Sequence, residues 1–249
     1  MNRLLVRLCL VAGLSLSVTV QAGETKVAVA ANFTEAARDI AAAFQQQTGH
    51  VALLSFASTG KLYTQIVNGA PFEVFLAADT TRPEKAEQQG FAVAGSRFTY
   101  AKGKIVLYSA SDSLVGVDGA VLKQPELFNK LAIANPVTAP YGTAATEAMK
   151  AMGVYDAVAP KLVQGDSIAQ TYQFVATRNA DLGFVALSQI IGNDSGSRWI
   201  VPEDLYQPIR QDAVLLKTGA DHEAAEAFIH FLTSEIARTI ITGYGYGLD

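Results

Sequence analysis

"VAVAANFTEAARDI" (residues 27–40) holds a strand and a helix with almost nothing between them. "KVAVAA" (26–31) is a short apolar run of strand type, and the next residues place Phe33, Ala37, Ile40 and Phe44 on one helical face. So tight a junction aims a helix N-terminus, with its unpaired N–H groups, beyond the carboxyl end of the strand. Asn32 followed by Glu35 has capping-box spacing, so the Asn32 side chain is expected to cap the helix, and Thr48-Gly49 to close it.

The same grammar continues in both directions from this stretch. Strands are expected at 51–56, 72–78, 104–110, 130–136, 181–187 and 212–217. Ser58 or Thr59 can cap a helix carrying Leu62, Ile66 and Val67; further helices are expected at 81–89, 143–152 and 168–177. A last helix should pack Phe228, Phe231, Leu232 and Ile236, and "GNDSGSR" (192–198) reads as a polar surface loop. Alternating strands and helices predict an α/β protein with mostly parallel sheets flanked by helices, binding its ligand beyond the carboxyl ends of the strands.

The 249 residues suffice for one large domain or two modest ones, and with 50% apolar and 17% charged residues they can bury a substantial core. Residues 1–22 have the form of an export signal: Arg3 and Arg7, then "LCLVAGLSLSV", then "VQA" ending at Ala22. Cleavage there removes Cys9, the single cysteine, so the mature chain relies on its core rather than on disulfides. It also leaves 17 basic residues against 23 acidic ones, a net charge of −6, which argues against nucleic acid or anionic lipid as partner. An anionic ligand would have to be captured locally, against the overall field.

Catalytic and metal-binding patterns are scarce. "HEAAE" (222–226) lacks the second histidine of a zinc helix, and His50, His222 and His230 read as surface residues. "GDSIA" (165–169) misses the last glycine of a nucleophile elbow, and "TGKL" (59–62) lacks both the first glycine and the hydroxyl of a phosphate loop. "GYGYG" (243–247) offers Tyr244 and Tyr246 to ferric iron but reads better as a helix stop. Asp79 and Arg82 are the nearest candidates for an amino-acid receptor, and a secreted hydrolase would need Ser167 paired with a histidine.

Four junctions share one character: Ala31-Asn32, Ser58-Thr59, "APYGT" (139–143) and "GDSI" (165–168). Each offers helix-start N–H groups, three add a short polar side chain, and apart from Lys61 none carries a cation. Together they would form a cage of hydrogen-bond donors suited to a small, fully ionised oxyanion.

"VAVAANFTEAARDIAAAFQQQTG", "SFASTGKLYTQIVNGAPFEVFLAAD", "NPVTAPYGTAATEAM" and "ADLGFVALSQI" resemble, in order, segments of the periplasmic molybdate-binding proteins of ABC importers. The resemblance spans the whole mature chain. It implies a two-lobed periplasmic binding fold of type II that closes on molybdate or tungstate and hands it to a membrane permease, without catalysis and without a resident cofactor. The expected divisions are lobe 1 at 23–100 plus 214–249 and lobe 2 at 101–213, in a monomeric periplasmic protein. Carried over residue by residue, the resemblance assigns the anion to Asn32, Ser58 and Thr59 in the first lobe, and to Tyr141 and Ile168 in the second. Many members carry a ligand tyrosine where this chain has Ala186, and the expectation is that the Tyr141 phenol replaces it.

Overall fold

The structure is a computed structural model that describes residues 22–249; the expected signal segment, apart from Ala22, lies outside the described residues. Strand β1 (Glu24–Ala30) passes through the turn Ala31–Phe33 into α1 (Thr34–Thr48). Then β2 (Val51–Ala57) leads into α2 (Thr59–Val67), and β3 (Val74–Leu76) into α3 (Thr81–Gln88). The chain continues through β4 (Phe98–Gly103) and β5 (Ile105–Ser109), and from β6 (Leu131–Ala134) into α4 (Pro140–Ala151). After the single turn α5 (Tyr155–Val158), β7 (Leu162–Gly165) leads into α6 (Ile168–Ala176), followed by β8 (Leu182–Ala186) and β9 (Ser197–Ile200). Finally β10 (Ile209–Leu215) precedes α7 (Glu223–Phe231) and α8 (Glu235–Gly243).

These strands form two five-stranded sheets, ordered β2-β1-β3-β10-β4 and β7-β6-β8-β5-β9. β1 runs parallel to β2 and β3, and β6 parallel to β7 and β8; β10 and β5 are each antiparallel to both neighbours. Each sheet is therefore mostly parallel, with a single reversed strand beside the edge. A mostly parallel sheet must be covered on both faces, which is why β1 reads as a continuous apolar run rather than an alternation. Val27 and Val29 pack under Phe33, Ile40 and Phe44 from the α1 side and Phe228 of α7. Ala28 packs on the other face with Phe75 of β3 and Leu62 and Ile66 of α2. In the second sheet Leu131 and Ile133 meet Ala145 and Met149 of α4, while Val106 and Ala132 meet Val175 of α6.

The expected divisions at 100/101 and 213/214 cut through β4 and β10, and the first sheet holds both strands whole. Residues 101–103 and 209–213, expected in the second lobe, pair there because the strand-like run from 98 onward breaks at Gly103-Lys104 rather than at its beginning. The last helix is two helices: Ser234 interrupts it and caps α8 by accepting from the Ala237 N–H at 3.2 Å. Ile236 consequently faces outward, 42% exposed. The expected loop at 192–198 ends in β9, where Ser197 and Arg198 pair with β5. His50 is buried, not at the surface; its Nδ1 accepts from the Gly23 N–H at 2.9 Å. No helix among the described residues is long and apolar enough to cross a membrane.

Candidate functional site

Four strand-to-helix junctions meet between the sheets, two from each. Ser58 is the extended residue preceding α2, Ala139 precedes α4 with Pro140 at its first position, and Ser167 precedes α6, its Oγ accepting from the Gln170 N–H at 3.4 Å. Pro at a helix start sacrifices no hydrogen bond, since the leading N–H groups have no acceptor within the helix. The fourth junction departs from expectation. Asn32 does not cap α1; the helix begins at Thr34, whose hydroxyl donates to the Ala31 carbonyl at 2.9 Å, and the Asn32 side chain is released for other work.

Asn32, Ser58, Thr59, Tyr141 and Ile168 line one cavity together with Ala30, Ala31, Ala78, Ala139 and Pro140. All five are buried, none more than 4% exposed. The cavity has a volume of about 10 Å³, far below the ~300 Å³ at which pockets for drug-sized molecules begin. It has room for about one water-sized group, and none for an amino acid or a sugar. No charged side chain lines it. The Ser58 hydroxyl is buried without a partner among the described residues, a costly state for a polar group. Thr59 Oγ1 accepts from the Ala78 N–H at 3.0 Å, which leaves the hydroxyl proton free to donate. The arrangement is a donor cage with few acceptors, the chemistry of an oxyanion site.

Beneath the cavity lies a network that sequence reasoning missed. Asn32 Nδ2 donates to Gln211 Oε1 at 2.6 Å and lies 3.1 Å from the Tyr246 hydroxyl and 3.3 Å from that of Tyr141. The Asn32 carbonyl accepts from Tyr246 at 2.7 Å and from Ser188 Oγ at 2.9 Å. Burial raises both the Tyr141 and Tyr246 phenols well above the ordinary tyrosine range, the nearby phenols adding to the effect at Tyr141. Both therefore stay neutral at physiological pH and act as O–H groups. Gly103 gives the Tyr141 phenol its place: a Cβ there would lie 2.0 Å from the hydroxyl oxygen. Ala186, at the position of the family tyrosine, is fully buried and its N–H donates to Gln189 Oε1 at 2.9 Å.

The lobes touch around the cavity. The Gly60 N–H donates to the Thr138 carbonyl at 2.8 Å, Arg82 Nη2 to the Val137 carbonyl at 2.9 Å, and Lys61 pairs with Asp166 at 2.7 Å. Lys61 is thus directed across the rim and not into the cage, and Arg82 is engaged by Asp79 and the Val137 carbonyl. The two tyrosines of "GYGYG" diverge: Tyr246 is buried on Asn32, while Tyr244 donates to Asp39 at 2.7 Å, which raises its phenol to about 12. They make no iron site, and no group of three or more histidine, cysteine or acidic residues able to hold a metal occurs among the described residues.

Comparison with known proteins places the chain as a whole in a family. The family model for bacterial extracellular solute-binding proteins matches residues 25–247. The molybdate-binding protein ModA of Rhodobacter capsulatus is 56% identical over 96% of this chain and 93% of its own. The structure of the Azotobacter vinelandii periplasmic molybdate-binding protein superposes with a TM-score of 0.87 at 43% identity, over 90% of this chain and 99% of that one. The sulfate-binding protein SubI of Mycobacterium tuberculosis shares the fold alone, with a TM-score of 0.73 at 12% identity over 90% of this chain and 86% of that one.

Proposed function

With the chain a member of the molybdate-binding branch of the bacterial extracellular solute-binding proteins, we propose that it captures molybdate, and tungstate with it, between its two lobes and delivers the anion to an ABC import permease. The observation that carries this reading is the convergence of Asn32, Ser58, Thr59, Tyr141 and Ile168 on one small uncharged cavity, with the Ser58 hydroxyl left unpartnered. Backbone N–H groups at the helix starts, the two hydroxyls and the Tyr141 phenol serve as donors to the four oxygens. Each charge-assisted hydrogen bond contributes ~1.5–3 kcal/mol, more effectively for being shielded from water by closure.

The donor-only character selects a dianion, because a protonated phosphate needs an acceptor for its proton. Sulfate has the same shape and charge as molybdate, so discrimination between them rests on cavity size. The protein does no chemistry on its ligand. It works as a monomer in the periplasm after removal of residues 1–22.

Calorimetric titration of the mature, dialysed protein with molybdate, tungstate, sulfate and phosphate tests the reading. The expected result is tight one-to-one binding of the first two alone. Tight binding of sulfate or phosphate in their place would keep the fold and overturn the ligand.

A further inference from the structure

Gln211 lies in β10, fully buried, at a shift of register between Gln211 and Asp212 in the pairing with β4. Its neighbour Asp212 pins the strand: the carboxylate, 1% exposed, accepts from Arg97 Nη1 at 2.6 Å and from Thr99 Oγ1 at 2.7 Å. Gln211 is therefore a fixed point directly behind Asn32. Of the three oxygens near Asn32 Nδ2, Gln211 Oε1 is the nearest and the only one that is not a hydroxyl. A phenol can rotate to donate or accept and so imposes no orientation, whereas a carboxamide oxygen accepts only. Gln211 Nε2 is buried with no partner among the described residues, so Gln211 has no other hydrogen-bonding commitment on its side chain.

We propose that Gln211 is a positioning residue for the oxyanion: its Oε1 takes one Nδ2 proton of Asn32, which fixes the carboxamide and leaves the second proton to the Tyr246 and Tyr141 hydroxyls, 3.1 and 3.3 Å away, the latter in the cavity wall. The proposal rests on the oxyanion reading of the site and extends it to a residue that does not line the cavity. A further consequence concerns charge. The layer behind the cage is neutral, and a carboxylate there would oppose a dianion while still accepting from Asn32.

Two variants and the wild type, titrated with molybdate from about pH 9 to about pH 6, test this. Gln211→Leu removes the acceptor and should weaken binding about tenfold, or ~1.4 kcal/mol, at every pH. Gln211→Glu keeps the acceptor but adds charge. It should bind about a hundredfold more weakly at the alkaline end and recover toward wild type as the buried carboxyl, raised by desolvation, takes up its proton. Binding by both variants as tight as wild type, or an equal, pH-independent loss in both, would overturn the positioning role. Thermal unfolding of the unliganded variants identifies a Gln211→Glu chain that does not fold, in which case Gln211→Leu alone decides: a tenfold loss supports the proposal and wild-type affinity contradicts it. A wild type that gives no heat with molybdate would contradict the molybdate reading itself, a result distinct from unchanged variants beside a wild type that binds.

Discussion

At the scale of single residues, the site turns on how each polar atom is spoken for before the anion arrives. Thr59 Oγ1 accepts from the Ala78 N–H, the Ser58 hydroxyl has no partner among the described residues, and the Tyr141 phenol lies between Asn32 and Gly103. The phenol is the residue-scale claim most open to test, because the backbone N–H proposed for Tyr141 survives a change of side chain to phenylalanine. Tyr141→Phe keeps the ring and that N–H. It should weaken molybdate binding 10- to 100-fold, the equivalent of ~1.5–3 kcal/mol for a hydrogen bond to a charged group. Unchanged affinity in the same calorimetric measurement would reduce the phenol to packing. The four junctions around the cavity were legible in sequence because each is a strand that gives way to a helix, and the resemblance to the family picked out the five proposed ligands among them. Gln211, Ser188 and Tyr246 were not, because each acts on Asn32 across more than 150 positions of chain. The nearest local hint was "GYGYG", whose glycines mark a helix stop equally well. Asn32 shows the opposite error: its spacing to Glu35 satisfied a capping rule, yet the buried partners behind it outcompete the exposed helix end.

At the scale of elements, the donor geometry depends on how closely each helix start seats on its strand. α4 shows this most clearly. A Cβ on Gly142 would stand 2.0 Å from the Ala134 carbonyl oxygen at the end of β6, so only glycine lets the first turn of α4 approach. Gly142→Ala must lift that turn, and with it the Tyr141 N–H. Overpacking of this kind costs ~1–3 kcal/mol, which urea unfolding would read, and molybdate affinity should fall at least tenfold in the same variant. Equal affinity in a destabilised protein would separate the seat of the helix from the site. The alternation of strands and helices was readable because parallel strands buried on both faces are apolar in runs, as β6, β8 and the Val27–Ala30 part of β1 are. Harder to read were β4, β9 and the start of β10. They lie on or beside an edge, carry polar residues such as Thr99, Lys102 and Arg198, and owe their strand form to a partner far away in sequence. The break at Ser234 was hidden by an apolar pattern that runs on through both α7 and α8.

At the scale of the whole molecule, the chain crosses between the sheets at Lys104, between β4 and β5, and again between β9 and β10, and its tail returns to the first lobe beside β4. Both lobes contribute to the cavity, and both contribute to the polar floor below it, where Asn32 from one meets Ser188 and Tyr141 from the other. On the proposed reading, an anion bound there would hold the lobes together through the same helix starts that recognise it, which would make recognition and closure one event. Rim contacts contribute less: Lys61 and Asp166 are 47% and 70% exposed, and such exposed pairs are worth only ~0–1 kcal/mol. The location of the anion is therefore decisive. Crystals of the mature protein grown with molybdate, measured at the molybdenum absorption edge, would locate it directly. We predict one anomalous peak per molecule, placed so that the oxygens around it lie within hydrogen-bonding reach of Ser58 Oγ, Thr59 Oγ1 and the N–H groups of Thr59, Tyr141 and Ile168. A peak elsewhere on the molecule, or no peak from protein that binds molybdate in solution, would contradict the account.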